Sequence, residues 1–268
     1  MRTRNLAACG AILSMAFVLS FAQVRSAQNQ GLRLYDSFTG PFINPSKWSP
    51  QWQCGGTVME CVREIQQDQL RLRIRAYGAT NTNNGSQFGG SGLSFASNSA
   101  TDIAADLTVL HSTAQACSTN PGFGGGGHAQ VLLFGTFFNG GAGTSADDVQ
   151  AFLQLDHPAT LQAGVVDVGG FLFHQGQFFG NVDLGLVNVG EPIRVELVWD
   201  RSNHRFVVRL FRPLSGTTTE QSIPYTISDA TPAVSPFRSI DANVFPANCL
   251  GTRKSAELEV LFNDVFVN

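Results

Sequence analysis

The sequence predicts an all-β protein built as a sandwich of two antiparallel sheets. Three observations predict it. Apolar and polar residues alternate at period two in several stretches, most clearly Leu70-Arg71-Leu72-Arg73-Ile74-Arg75. Such alternation marks strands with one buried face. Turn-forming residues, among them 28 glycines, recur at short intervals between these stretches, which suits short strands and tight turns. No stretch of useful length beyond the N-terminal one has apolar residues at helical spacing, and there is no internal repeat.

Taken in order, the chain opens with Arg2 and Arg4, an apolar run over residues 6–21, and small residues at Ser20 and Ala22. This reads as a secretory signal peptide over residues 1–22, with a cut after Ala27 as the alternative end and an uncleaved anchor as the other reading. Residues 23–268 are then expected as a single β-sandwich domain, secreted or periplasmic, with no later membrane span. Removing residues 1–22 leaves 15 basic against 20 acidic residues, a net charge of −5. That balance argues against nucleic acid and anionic membrane surfaces as partners.

Leu32, Leu34 and Phe38 begin the first strand, and Gly40-Pro41 and Asn44-Pro45 break it. Residues 48–52 form a short aromatic strand. Residues 62–66 and 70–75 make a hairpin with its turn at Asp68-Gln69. Residues 78–92 read as a polar loop, followed by a short strand at 93–95 and an alternating one at 102–111. Glycines 124–127 sit in a second loop; no lysine follows them and no strand-to-helix context surrounds them, so they are not a phosphate loop. Residues 129–138 are almost continuously apolar and predict a central strand covered on both faces. Further strands are expected at 149–156, 161–173 and 177–182. Residues 193–200 and 204–212 form the clearest hairpin, turning at Arg201-Ser202-Asn203. In the last strand the apolar register slips between Phe262 and Val265, which predicts a β-bulge near Asn263-Asp264.

Cys9 leaves with the signal, and Cys54, Cys61, Cys117 and Cys249 remain. Four cysteines in an exported chain admit three connectivities. Cys54–Cys61 and Cys117–Cys249 are the expected pair of disulfides, one closing a short hairpin and one tying a mid-chain loop to the loop before the last strand. The spacings lack the paired C-x-x-C of a structural zinc site.

The opening Asp36-x-Phe38-x-Gly40 with Pro45-x-x-Trp48, the strand at 70–75, the hairpin at 193–212 and the closing Phe262-Asn263-Asp264-Val265 together resemble the concanavalin A-like lectin/glucanase family along nearly the whole mature chain. The resemblance implies a two-sheet antiparallel jelly-roll sandwich with terminal strands side by side and a sugar site on one concave sheet. Some members of that family cleave β-glucans with two carboxylates on one strand, and retaining hydrolysis needs them roughly 5 Å apart. This sequence has no Glu-x-Asp-x-Glu motif, so no catalytic residue is assigned. Glu257 and Glu259 share a face but read as the solvated side of an edge-region strand. His111, His128, His157, His174 and His204 are scattered.

The expected function is therefore non-catalytic glycan binding or surface association. A glycoside hydrolase or polysaccharide lyase with an unrecognised site, or a structural protein without ligand, are the alternatives. The hydrolase reading requires two carboxylates facing each other in the groove. Candidate glycan contacts are Trp52 and Tyr77 near turns, and the row Arg71, Arg73 and Arg75, whose guanidinium groups suit an anionic polysaccharide. The competing reading of that row is a solvent face paired with acids on neighbouring strands. Phe171, Phe173, Phe178 and Phe179 are aromatic enough to stack on sugars but are expected mostly in the core, with Trp48 and Trp199. No cofactor or metal is assigned; calcium is a lesser expectation at Asp147-Asp148 or at Asp36 with Asp264.

Overall fold

In the computed structural model, Leu70, Leu72 and Ile74 are fully buried on a strand whose arginines face outward. The structure describes residues 31–56, 59–120 and 126–268, without the side chains of 50–53 and 59. The expected signal segment and part of the 124–127 glycine run lie outside the described residues. The strands are β1 (Arg33–Asp36), β2 (Ser49–Gly56), β3 (Met59–Gln66), β4 (Gln69–Tyr77), β5 (Gly89–Ala96), β6 (Asp102–Ala114), β7 (His128–Asn139) and β8 (Asp148–Pro158). They continue as β9 (Val165–His174), β10 (Gln177–Asn188), β11 (Pro192–Asp200), β12 (Arg205–Arg212), β13 (Thr217–Pro224), β14 (Thr231–Phe245) and β15 (Ser255–Val267).

Two sheets form the expected jelly-roll sandwich. The eight-stranded one runs β13-β12-β11-β6-β15-β4-β3, with β1 against β15, so the terminal strands are neighbours. The seven-stranded one runs β10-β9-β8-β7-β14-β5-β2. Neighbours along both paths pair antiparallel. Leu34–Asn268 is one compact unit. Its core joins Leu72, Leu107, Val195, Phe206 and Val260 from one sheet to Leu133, Leu153, Val168 and Ile240 from the other.

Trp48 and Trp199 lie in that core, and each indole N–H finds an acceptor, as a buried tryptophan requires. Trp48 donates to Asp36 Oδ2 at 2.6 Å and Trp199 to the Tyr225 hydroxyl at 2.7 Å. Arg238 is the least expected core member, at 1 % exposure. Its guanidinium lies 3.7 Å from the centre of the Phe137 ring and donates to the Thr136, Phe237 and Ala100 carbonyls. Burial pulls its pKa down to about 9.

Both expected disulfide pairs are present, Cys54–Cys61 and Cys117–Cys249, with Cα separations of 5.8 and 5.6 Å, inside the usual range. The bulge in β15 falls between Phe262 and Asp264. Several expectations shift: β5 begins at Gly89, inside the expected 78–92 loop, and β13 and β14 fall where the sequence reading assigns no strand. The β3–β4 turn sits one residue earlier, at Gln67 and Asp68, both with positive φ. A two-residue turn of that hand matches strand twist and pairs Gln66 with Gln69. β9 begins at Val165, not 161, because Gly164 takes a left-handed conformation in the preceding turn. β15 lies between β6 and β4 in its sheet, so Glu257 and Glu259 are not on an edge-region strand.

Candidate functional site

The predicted arginine row exists, and it is matched by acids. Arg71 bonds Glu259 at 2.8 Å and Glu64 at 3.1 Å; Arg73 bonds Glu257 at 2.7 Å; Arg75 reaches Glu257 at 3.7 Å. The carboxylates raise the pKa of Arg71 and Arg73, chiefly through the bonds these arginines donate to Glu259 and Glu257 respectively. Alternating strands β3, β4 and β15 thus carry a self-neutralising ladder. Tyr77 ends that row, bonded to Glu60 and flanked by Arg75 and Arg253 at 5.6 Å from its ring centre. Trp52 lies on β2, and its side chain is outside the described residues. β2 belongs to the seven-stranded sheet and β4 to the eight-stranded one, and the Cys54–Cys61 disulfide ties β2 to β3 beside β4.

The calcium candidates have other work. Asp148 accepts from the Val234 and Ser235 backbone and from Asn139, and Asp147 accepts from Thr144, Ala142 and Gln175. Gln175, then Thr144, hold the Asp147 carboxyl below its ordinary pKa. Asp36 serves Trp48, Lys47 and the Phe38 amide. Among the described residues no group of three or more metal-binding side chains converges.

The seven-stranded sheet presents a different surface on the face turned from the core. Directly paired residues on adjacent antiparallel strands share a face, so the register draws rows across it. One row is Asp241 (β14), Leu132 (β7), Gln154 (β8), Gly169 (β9) and Asp183 (β10). The next is Asn243, Gln130, Asp156, Asp167 and Leu186. On the other side of the first row lies Ser239, Phe134, Phe152, Phe171 and Asn181. Beyond that come Phe237, Thr136, Gln150, Phe173 and Phe178. Two rows are rich in planar amides and carboxylates, and two in phenylalanine.

The aromatic rows are packed among themselves. Phe134 stacks on Phe152 at 4.4 Å, with Phe237 edge-on to Phe134 at 4.7 Å and Phe173 edge-on to Phe152 at 5.4 Å. This corrects the core assignment of Phe171, Phe173, Phe178 and Phe179. Phe171, Phe173 and Phe178 stand on the outer face, and Phe178 and Phe179 are 55 % and 49 % exposed. The face opens progressively from β14, where Asp241 is 1 % exposed, to β10, where Asn181 and Asp183 are exposed. Near its open end Gln154, Asp156, Asp167, Phe171, Asn181 and Asp183 surround a depression of ≈ 90 Å³.

Charge on this face is negative. Asp156 and Asp167 are directly opposed across β8 and β9. Partial burial, then Asp183, then Asp156 push the Asp167 pKa up. His128 Nδ1 contacts both Asp156 oxygens, at 2.9 and 3.1 Å. Asp241 is pushed up to about 7 by burial, opposed only by the Ser239 hydroxyl that donates to its Oδ2 at 3.0 Å. Sequence reasoning missed Asp156, Asp167 and Asp183, because each lies on a different strand. Alternation within 149–156 does place Gln150, Phe152, Gln154 and Asp156 opposite the core residues, and that was the available signal.

No family model matches this chain, and no curated protein matches it. Its architecture is similar to that of the lectin UEA-II complexed with galactose, at 9 % identity and TM-score 0.39, covering 81 % of this chain and 98 % of that one. A CBM2 module of the evolved Dit of Lactobacillus casei BL23 phage J-1 is similar at 11 % identity and TM-score 0.41, covering 91 % and 93 %. Scytalido-glutamic peptidase with a transition-state analogue inhibitor is similar at 14 % identity and TM-score 0.40, covering 68 % and 80 %. Fold does not imply function, and function is read below from this chain's own side chains.

Proposed function

We propose that this is an exported, non-catalytic glycan-binding protein that holds sugar on the outer face of its seven-stranded sheet. The carrying observation is the row order on that face: phenylalanines beside a double row of aspartate, glutamine and asparagine. Sugar rings present apolar C–H faces and hydroxyl edges, and such a surface offers rings for one and planar hydrogen-bonding groups for the other. Two disulfides favour an oxidising compartment, in keeping with residues 1–22 as a signal peptide. Among the described residues no helix is long and apolar enough to cross a membrane.

Binding without cleavage is favoured because Asp156 is already engaged through both oxygens by His128. The depression is also far smaller than the ~300–1,000 Å³ of ordinary ligand pockets, which suits a platform better than an active-site cleft. A hydrolase is the second reading, favoured by one observation: Asp156 and Asp167 face each other across paired strands, where Cβ atoms lie ~4.5–5.5 Å apart.

The test is a polysaccharide pull-down panel with reducing-end release measured in the same wells. Retention without release, weakened about two- to tenfold by Phe171→Ala or Asn181→Ala, is expected from the loss of one stacking or hydrogen-bonding partner. Release that disappears in Asp167→Asn would replace this reading with the hydrolase. Silence across the panel would remove both.

A further inference from the structure

Two asparagines in the chain are followed by glycine, Asn84-Gly85 and Asn139-Gly140. An asparagine in this position can lose its side-chain amide without an enzyme. Glycine has no Cβ to shield its own nitrogen, so that nitrogen can reach the preceding Cγ. The fold treats the two pairs in opposite ways.

Asn139 is 2 % exposed and held at both ends of its amide. Its Nδ2 donates to the Thr144 carbonyl at 2.8 Å and to Asp148 Oδ1 at 2.9 Å. Its Oδ1 accepts from the Gly141 and Gly143 amides, each at 3.2 Å. The Gly140 nitrogen is occupied too, donating to the Asp147 carbonyl at 3.0 Å. Both reacting groups are therefore fixed. Asn84, Gly85 and Ser86 are exposed. The Asn84 N–H donates to Thr82 Oγ1 at 3.2 Å, and its carbonyl accepts from Asn248 Nδ2 at 2.8 Å. Among the described residues these main-chain bonds are all that Asn84 makes; its side-chain amide and the Gly85 nitrogen are without partners.

From this contrast we propose that Asn84 is a site of spontaneous deamidation in the folded protein, while Asn139 is protected. The proposal stands apart from the glycan reading. The Gly85 nitrogen gives up its proton and attacks Asn84 Cγ. The new C–N bond closes a cyclic imide, the Cγ–Nδ2 bond breaks, and Nδ2 leaves as ammonia with that proton. Water then opens the imide: at Cγ it yields aspartate, at the main-chain carbonyl isoaspartate. Isoaspartate routes the chain through Cβ and Cγ and turns the former Asn84 carbonyl into a free carboxylate. Asn248 grips both sides of this link, through Nδ2 to the Asn84 carbonyl and through its N–H to the Gly85 carbonyl at 3.1 Å. Asn120 Nδ2 also reaches the Gly85 carbonyl, at 2.7 Å. The conversion thus adds charge and loosens the chain where the loops around Asn84, Asn120 and Asn248 are joined, beside the Cys117–Cys249 disulfide.

The test incubates the full chain, folded and in urea, in mildly alkaline buffer. Peptide mapping by mass spectrometry reads the amide-to-acid mass gain and separates aspartate from isoaspartate. In the folded protein Asn84 should convert about tenfold or more faster than Asn139, where several hydrogen bonds must first be lost. In urea the two rates should converge, and Asn84→Gln should remove the folded-state conversion. Equal folded-state rates, or an Asn84 that stays intact, overturn the proposal. So does a contrast that persists in urea, because its cause would then be local sequence and not the fold. Carbohydrate on Asn84, which begins the N-glycosylation acceptor pattern Asn84-Gly85-Ser86, would consume the same nitrogen and overturn it as well. Hydrogen exchange of the converted protein should be faster at the Asn248 amide and unchanged at Leu72 in β4; an unchanged Asn248 overturns the loosening.

Discussion

Asp241 should make this protein less stable as pH rises through the mildly acid range, and Asp241→Asn should abolish that part of the loss. Its carboxyl is displaced from 3.8 to about 7, with burial as the cause and only the Ser239 hydroxyl opposing it. Among the described residues no charged side chain pairs with it; its cross-strand neighbours are Leu132 and Gly92. The folded chain therefore keeps a proton that the unfolded chain gives up between about pH 4 and 7. Where the native state binds more protons, stability falls with rising pH. The contribution is fully present below about pH 4 and is lost by about pH 7. At ~1.4 kcal/mol per pH unit, the loss is about 4 kcal/mol as an upper figure. Asparagine keeps the shape and the bond from Ser239 but has no proton to lose. Urea unfolding of both proteins at about pH 4, 6 and 8 checks this. The two should match near pH 4, and the variant should be more stable near pH 8 by up to about 4 kcal/mol. Asp102, Asp167 and Glu196 are also raised, each chiefly by burial, and add slope of the same sign to both proteins, so the difference between the curves isolates Asp241. A variant equally destabilised at every pH would refute the reasoning.

Gly92→Ala should cost about 1–3 kcal/mol, because its Cβ would overlap Asp241 Oδ1 and lie 3.0 Å from the Ile240 carbonyl oxygen, so the buried carboxyl must shift. Asp241→Ala in the same chain should recover part of that cost, and a double-mutant cycle without coupling would contradict the contact. Replacing Cys117 and Cys249 by serine opens a loop with a sequence separation of 132. The loss should be up to about 5 kcal/mol, against about 2–3 for Cys54 and Cys61, in urea unfolding on the chain-entropy account; equal losses would count against it. Arg73→Ala removes half-exposed ion pairs to Glu257 and Glu259 and should cost under ~1 kcal/mol. It should also leave polysaccharide retention unchanged, and a fall in retention would return the binding site to the eight-stranded sheet.

The fold was legible because its signals are local. Period-two alternation lies within single strands, as at 70–75 and in each half of the 193–212 hairpin, and the cysteines stand at strand ends and loops that their pairing joins: Cys54 and Cys61 on β2 and β3, Cys117 and Cys249 in loops. The register slip at Asn263-Asp264 could be read as a bulge because apolar phase alone betrays it. Where a glycine turn rather than hydrophobicity sets a boundary, as at Gly164, the reading drifted by a few residues. The arginine row drew attention for the same local reason: three like residues alternate on one strand. Its acids, Glu64, Glu257 and Glu259, come from β3 and β15 and cancel it only once those strands are paired.

The outer-face rows run across strands, and that is why no window of sequence displays them. Asp156, Asp167 and Asp183 are separated by 11 and 16 positions and become neighbours through the β8–β9 and β9–β10 registers. β10 hides its share further, since shifts between Phe178 and Gly180 and between Asp183 and Gly185 break the alternation that would assign its faces. Asp241 marks the other limit. Ile240, Ala242 and Val244 point to the core, so alternation correctly turns Asp241 away from it. Period two reports which face a side chain takes, not whether that face is wet. Asp241 is buried on the outer face between a glycine strand and Leu132, and its perturbed carboxyl follows from that packing. Rows assembled from register and burial are thus invisible to motif reasoning, and the sequence reading assigns no strand to β14, which carries one end of each row.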